Sequence, residues 1–270
     1  MDIEAVLMGA LPAIAAALLL VSVAGVRLLP LAAAIGLFTA YILLMKWPGL
    51  PHELWSSPNG TEWLLWAFAA AALVASLEHA GMNAKVATVL AAAVAGAGAG
   101  LVLERVAHSW TAAEVVLHVG IGAIAVMLVT IGHRTLLRAA PPGLGIAVLL
   151  TCTLSADAAL LVLGGSAFLG QLCGAVAAAT GAAAGTVLWR QPFSLAPADG
   201  TWLGLAHGLF LLAATELAYL PWQAAVCAAV APILPMLLSK NLKERAFTWE
   251  VAAAALVASP LTLAFWFASR

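Results

Sequence analysis

Charge is scarce in this sequence: Asp, Glu, Lys and Arg together make up 9% of its 270 residues, against about a quarter of an ordinary globular domain. With 64% hydrophobic residues and a mean hydropathy of +1.08, that shortage excludes water as the main solvent of the folded chain. The net charge is -1, and the only Lys/Arg cluster is the short one near Lys240. Without a basic field to hold a polyanion, no nucleic-acid partner is expected. Cysteine is nearly as scarce. Cys152, Cys173 and Cys227 lie inside apolar runs with no C-x-x-C spacing, so they read as small hydrophobes rather than disulfides or metal ligands. The zinc-protease H-E-x-x-H, the nucleophile elbow and the phosphate-cradling glycine loop are all missing. The expectation is therefore a chain with no enzymatic activity, catalytic residue, metal or cofactor.

What is present is a succession of apolar runs separated by short breaks of charge, Pro or Gly. The runs place membrane spans at about 5 to 26, 28 to 45, 63 to 80, 86 to 103, 112 to 132, 142 to 163, 166 to 189, 202 to 220, 222 to 239 and 247 to 267, each close to the roughly 20 residues needed to cross a bilayer. The fold class expected is all-α: a polytopic membrane helix bundle of about ten spans. The tight joins at Arg27, Gly164-Gly165 and Pro221 leave nine or eight spans with re-entrant pieces as alternatives. The first residues, Met1-Asp2-Ile3-Glu4, are acidic where a signal peptide is basic, so the first run reads as a retained helix.

Lys and Arg collect in cytoplasmic loops because they resist translocation. Here eight of eleven fall in the odd-numbered loops: Arg27, Lys85, Arg134, Arg138, Arg190, Lys240, Lys243 and Arg245. This places both termini outside and the 46 to 62 loop on the outer face, where Trp47 and Trp55 suit the headgroup layer and the Asn59 sequon reads as chance. A faint repeat accompanies the topology. Pro58-Asn59-Gly60-Thr61-Glu62-Trp63 is echoed 139 residues later by Pro197-Ala198-Asp199-Gly200-Thr201-Trp202, and Glu114 by Glu250 after 136. Five spans per half, 1–138 and 139–270, would make the second half an inverted copy of the first.

Ionisable residues within spans are costly and usually paired or functional. Asp157 lies deepest, with Thr153 one turn before it on the same helix face. Glu216, and Glu114 with His118 at i and i+4, fall in the outer half under this topology, so the four could form one outward-facing proton or cation pathway. His207 falls in the inner third of its span, away from Glu216. A membrane haem would need histidines at matched depth on facing helices, but His118 and His207 fall in opposite halves, and His52, His79, His108 and His133 sit in or near loops. Gly96 to Gly100 in span 4 and Pro232 with Pro235 in span 9 occupy corresponding places and could mark broken helices around a transport site, although glycine also serves close packing. Gly170 and Gly174 in span 7 read as packing residues.

The reading that results is a small secondary transporter or channel for a small solute or ion in the bacterial inner (plasma) membrane. The alternative is a noncatalytic structural or assembly subunit of a membrane complex. Partners expected are the lipid bilayer, a small solute or cation, and either further copies of the chain or other membrane subunits.

Overall fold

The computed structural model describes residues 3–44, 60–141, 143–186, 194–238 and 246–269. Among these residues there is no strand, and ten helices follow in order. They are α1 (Ile3–Ala24), α2 (Leu29–Leu44), α3 (Gly60–His79), α4 (Ala84–Ala107), α5 (Ala112–Ala139), α6 (Leu144–Leu163), α7 (Ala167–Gly185), α8 (Asp199–Leu217), α9 (Trp222–Val230) and α10 (Ala246–Ala268). A 3-10 turn at Val26–Leu28 joins α1 to α2, and α9 continues as a 3-10 helix over Ala231–Leu237. Eight of the ten, α1 to α7 and α10, are long and apolar enough to cross a membrane, as a multi-pass membrane protein requires. The loop with Trp47 and Trp55, expected on the outer face, together with Arg190 and Lys240 to Arg245, lies outside the described residues.

Contacts between helix ends show that the helices alternate in direction. At one end, Gly9 of α1 lies against Leu44 of α2 and Gln171 of α7. Tyr41 of α2 donates to Glu62 of α3 at 3.0 Å, Gly60 faces Val102 of α4 and Leu217 of α8, and Gly164 at the end of α6 meets Ala218 and Leu220. At the other end Glu78 of α3 pairs with Arg134 of α5, Gly145 of α6 lies against Glu250 of α10, and Gly132 of α5 faces Ile233.

The least apolar helix is the innermost. From Asp199 to Leu211 every residue of α8 is buried, enclosed by α5, α3, α4 and α9. A helix that meets other helices rather than lipid can carry Asp199, Thr201 and His207 without exposing them to hydrocarbon. What lets its neighbours approach is Gly200, Gly204 and Gly208, one turn apart along the α5 face. A Cβ on Gly200 would stand 2.7 Å from the Arg134 nitrogen, and one on Gly208 would stand 2.9 Å from the Val126 Cα. Small residues every fourth position are the usual means of bringing two membrane helices to backbone contact.

One expectation changes. Span 4 is not broken: α4 runs through Gly96 to Gly100, and Gly98 instead admits Leu209 of α8 and Ala67 of α3, whose atoms would lie 3.0 and 3.3 Å from an added Cβ. Only the span-9 prolines disturb their helix, since proline lacks the amide that an α-helical turn needs, and the 3-10 segment begins one residue before Pro232. The helix contacts give no support to an inverted five-helix repeat among the described residues. α5 and α8 share one of the broadest interfaces, while their counterparts in such a repeat, α10 and α3, have no comparable contact among the described residues.

Candidate functional site

The α5–α8 contact sets the geometry of the most unusual group of side chains. His207 precedes Gly208 and is directed into the bundle, where its Nδ1 stands 3.4 Å from Oδ2 of Asp157 on α6, both side chains being 0% exposed. On its α5 side the ring meets His133, centroid to centroid at 5.2 Å and edge to face at 63°. Asp157 is 13 residues from the start of α6 and His207 eight from the start of α8. At 1.5 Å per residue, the pair is about 20 and 12 Å along the two helices, near mid-depth for a core about 30 Å thick.

Hydrogen bonding there is incomplete. Asp157 and His207 approach without hydrogen-bond alignment; among the described residues neither carboxylate oxygen has a hydrogen-bond partner, and the His207 ring has beside it only the Ala228 carbonyl, without a well-aligned bond. Thr153 shares the helix face of Asp157, but its hydroxyl donates to the Leu149 carbonyl at 2.9 Å, and the Cys173 thiol is held by Leu154. His133 Nδ1 lies 2.9 Å from the Val129 carbonyl. Because a carbonyl only accepts, that nitrogen donates, which fixes the tautomer of the neutral ring. A buried acid and base with unused hydrogen-bonding capacity, and a second imidazole against them, can hold and pass on a proton or accept a small cation.

Towards the end of α5 the polar chain continues. Arg134 forms a two-pronged pair with Glu78 of α3, Nη2 to Oε1 at 2.7 Å and Nη1 to Oε2 at 3.0 Å, and Nη1 also donates to Thr201 of α8 at 2.7 Å. Beside it Asp199 accepts from the Ala196 amide at 2.8 Å and meets the His79 ring at 3.0 Å. The last turns of α3 and α5 and the first turn of α8 thereby form a polar plug, its Arg134 next in sequence to His133.

The four residues singled out in the sequence do not share one pocket. Asp157 lies with His207 and His133, away from the other three. Glu114 is exposed and closes the start of α5: its carboxylate accepts from the Thr111 amide and hydroxyl, both at 2.8 Å, while its own amide donates to Thr111. His118 is exposed and stacks on Trp110 at 4.4 Å. Glu216 and His118 do line a common cavity of about 240 Å³ between α5, α8 and α9. A larger cavity of about 500 Å³ between α6 and α10 is walled mainly by Val148, Leu149, Ala253 and Val257, and Glu250 is its one charged lining residue.

His133 was missed because Arg134 and Arg138 looked like a loop. α5 runs to Ala139, seven residues past the expected end, since Glu78 neutralises the arginine inside the bundle. His133 and His207 are therefore neighbours on facing helices, but their rings are in contact, leaving no slot for a macrocycle between them. The signal available in the sequence was the Gly200, Gly204, Gly208 spacing, which marks α8 as a helix packed on its glycine face. No family model matches this chain, and neither a curated protein nor a solved structure matches it.

Proposed function

We propose that this protein is a proton-coupled secondary transporter of the inner membrane, with both termini outside and the Glu78–Arg134–Asp199 end in the cytoplasm. The observation that carries the reading is the sealed Asp157–His207 pair with its unused hydrogen-bonding capacity. An acid and an imidazole buried without well-made hydrogen bonds cost free energy even when neutral. A purely structural site would be improved by apolar residues of the same volume, so an acid and an imidazole at mid-depth are best explained by a titrating role. His133 extends the pair towards the cytoplasmic plug, which gives the proton a direction. On α7, Gly170 is filled by Val162 and the Ala158 carbonyl of α6 and is not free for a partner subunit, whereas Gly174 and Gly181 line an open groove beside α1 and α6.

The test uses everted membrane vesicles in which respiration builds a pH gradient read by acridine orange. Small amines, monovalent cations and carboxylates are added in turn, and a coupled solute dissipates the gradient. Dissipation should disappear in Asp157→Asn and His207→Gln with the protein still folded and inserted. If Asp157→Asn dissipates the gradient at the wild-type rate, the pair is not on the pathway; if no solute exceeds vesicles lacking the protein, the transport reading fails.

A further inference from the structure

We infer that the cavity between α5, α8 and α9 is a binding site for an organic monocation with a compact apolar body. The inference rests on the transporter reading and names its substrate class. The cavity holds about 240 Å³, the space of roughly eight waters at about 30 Å³ each. Its walls are aliphatic, chiefly Ile121, Val126, Leu211, Leu212 and Val226, so an inorganic ion would lose its hydration with too few ligands to replace it. Its one carboxylate is Glu216, half-buried at the rim, to which no hydrogen bond or ion pair is made among the described residues; no Lys or Arg lines the space, and His118 of α5, stacked on Trp110, is its one other ionisable lining residue. Trp222 stands on the same rim, 67% exposed. A free carboxylate beside an indole face is complementary to a positive charge of low hydration, and an apolar chamber behind it suits the rest of such a molecule.

The position ties the cavity to the buried pair. Its inner wall includes Gly208, which follows His207, and Val129, whose carbonyl holds His133. A cation bound at Glu216 and a proton bound at Asp157–His207 would thus lie on two sides of the same stretch of α8, the arrangement needed for each to influence the other. Ile121 and Val226 at the cavity edge face outward, 59% and 51% exposed, so an amphipathic cation can enter from the bilayer.

The experiment is equilibrium binding to the purified full-length protein in detergent, by calorimetry, with benzyltrimethylammonium as probe and its uncharged carbon isostere, neopentylbenzene, as control. The quaternary charge is fixed, so binding depends on the protein alone. Wild type should bind the cation and not the isostere. Glu216→Gln should weaken binding about tenfold or more, Glu216→Asp less, and Trp222→Ala by about two- to thirtyfold. Equal binding of the isostere would mean that the cavity takes acyl chains or detergent, and this overturns the proposal. So does unchanged affinity in Glu216→Gln, a rim substitution that leaves the helix contacts intact. Neither result bears on the pH-gradient test, whereas cation binding that depends on Glu216 in a protein that dissipates no gradient overturns the transport reading alone.

Discussion

Arg134 offers the sharpest test of how the bundle is held together. Its guanidinium is 6% exposed, the Glu78 carboxylate 11%, and the two make paired bonds of 2.7 and 3.0 Å with Thr201 as a third member. Removing one partner of a buried pair strands the other, at a typical cost of about 3–5 kcal/mol. Glu78→Ala should lie in that range, because an arginine cannot shed its charge. Arg134→Ala should also be destabilising, because it strands the Glu78 carboxylate. Arg134→Lys keeps the charge but not the fork, and should fall between wild type and Arg134→Ala. In the double variant Arg134→Ala, Glu78→Ala nothing charged is left unpaired, so its cost should be below the sum of the single costs by about 0.5–3 kcal/mol. The assay is reversible unfolding in mixed micelles, followed by far-UV circular dichroism, on the four variants and wild type. Additive single costs, or an Arg134→Ala protein as stable as wild type, would refute the claim that this pair lets α5 remain helical to Ala139.

Gly204→Leu should force α5 and α8 apart, since its side chain would occupy the Thr130 backbone; overpacking of this kind costs about 1–3 kcal/mol, and the unfolding assay should register it together with loss of solute-driven gradient dissipation. Glu114→Ala should lower stability slightly through loss of the capping box while leaving solute-driven dissipation at the wild-type level; a variant of normal stability that no longer dissipates would restore Glu114 to the pathway.

Most helical stretches were legible because eight of the apolar runs are long and apolar enough to cross a membrane, and the breaks between them carry Gly, Pro or charge. Boundaries failed where a charge was neutralised by a distant residue. Arg134 reads as a loop residue when only its neighbours are considered, and its partner lies 56 positions away. The glycines of α4 failed in the opposite sense. Gly96, Gly98 and Gly100 look like a break, yet the chain around them is helical and the missing side chains are filled by Leu209 and Ala67. Local composition shows where a helix can be disrupted, whereas neighbours decide whether the glycine gap is used for packing.

For the site, depth along the helix was legible and azimuth was not. Asp157 stood out because no water or headgroup is within reach at that depth. Glu216 and Glu114 were grouped with it because they shared its apparent half of the membrane, but which residues meet depends on the direction each helix face points. α8 decides this. Its glycine face is pressed on α5, which turns His207 towards Asp157 of α6 and leaves Glu216 on the far side, at the rim of the cavity. The 180° between His207 and Glu216, nine residues apart on a 3.6-residue helix, was already in the sequence. Fixing the absolute orientation required the contact made by Gly200, Gly204 and Gly208. In this bundle the glycine spacing on one helix thus separates the sealed Asp157–His207 pair from the open rim at Glu216, and the same helix connects the two.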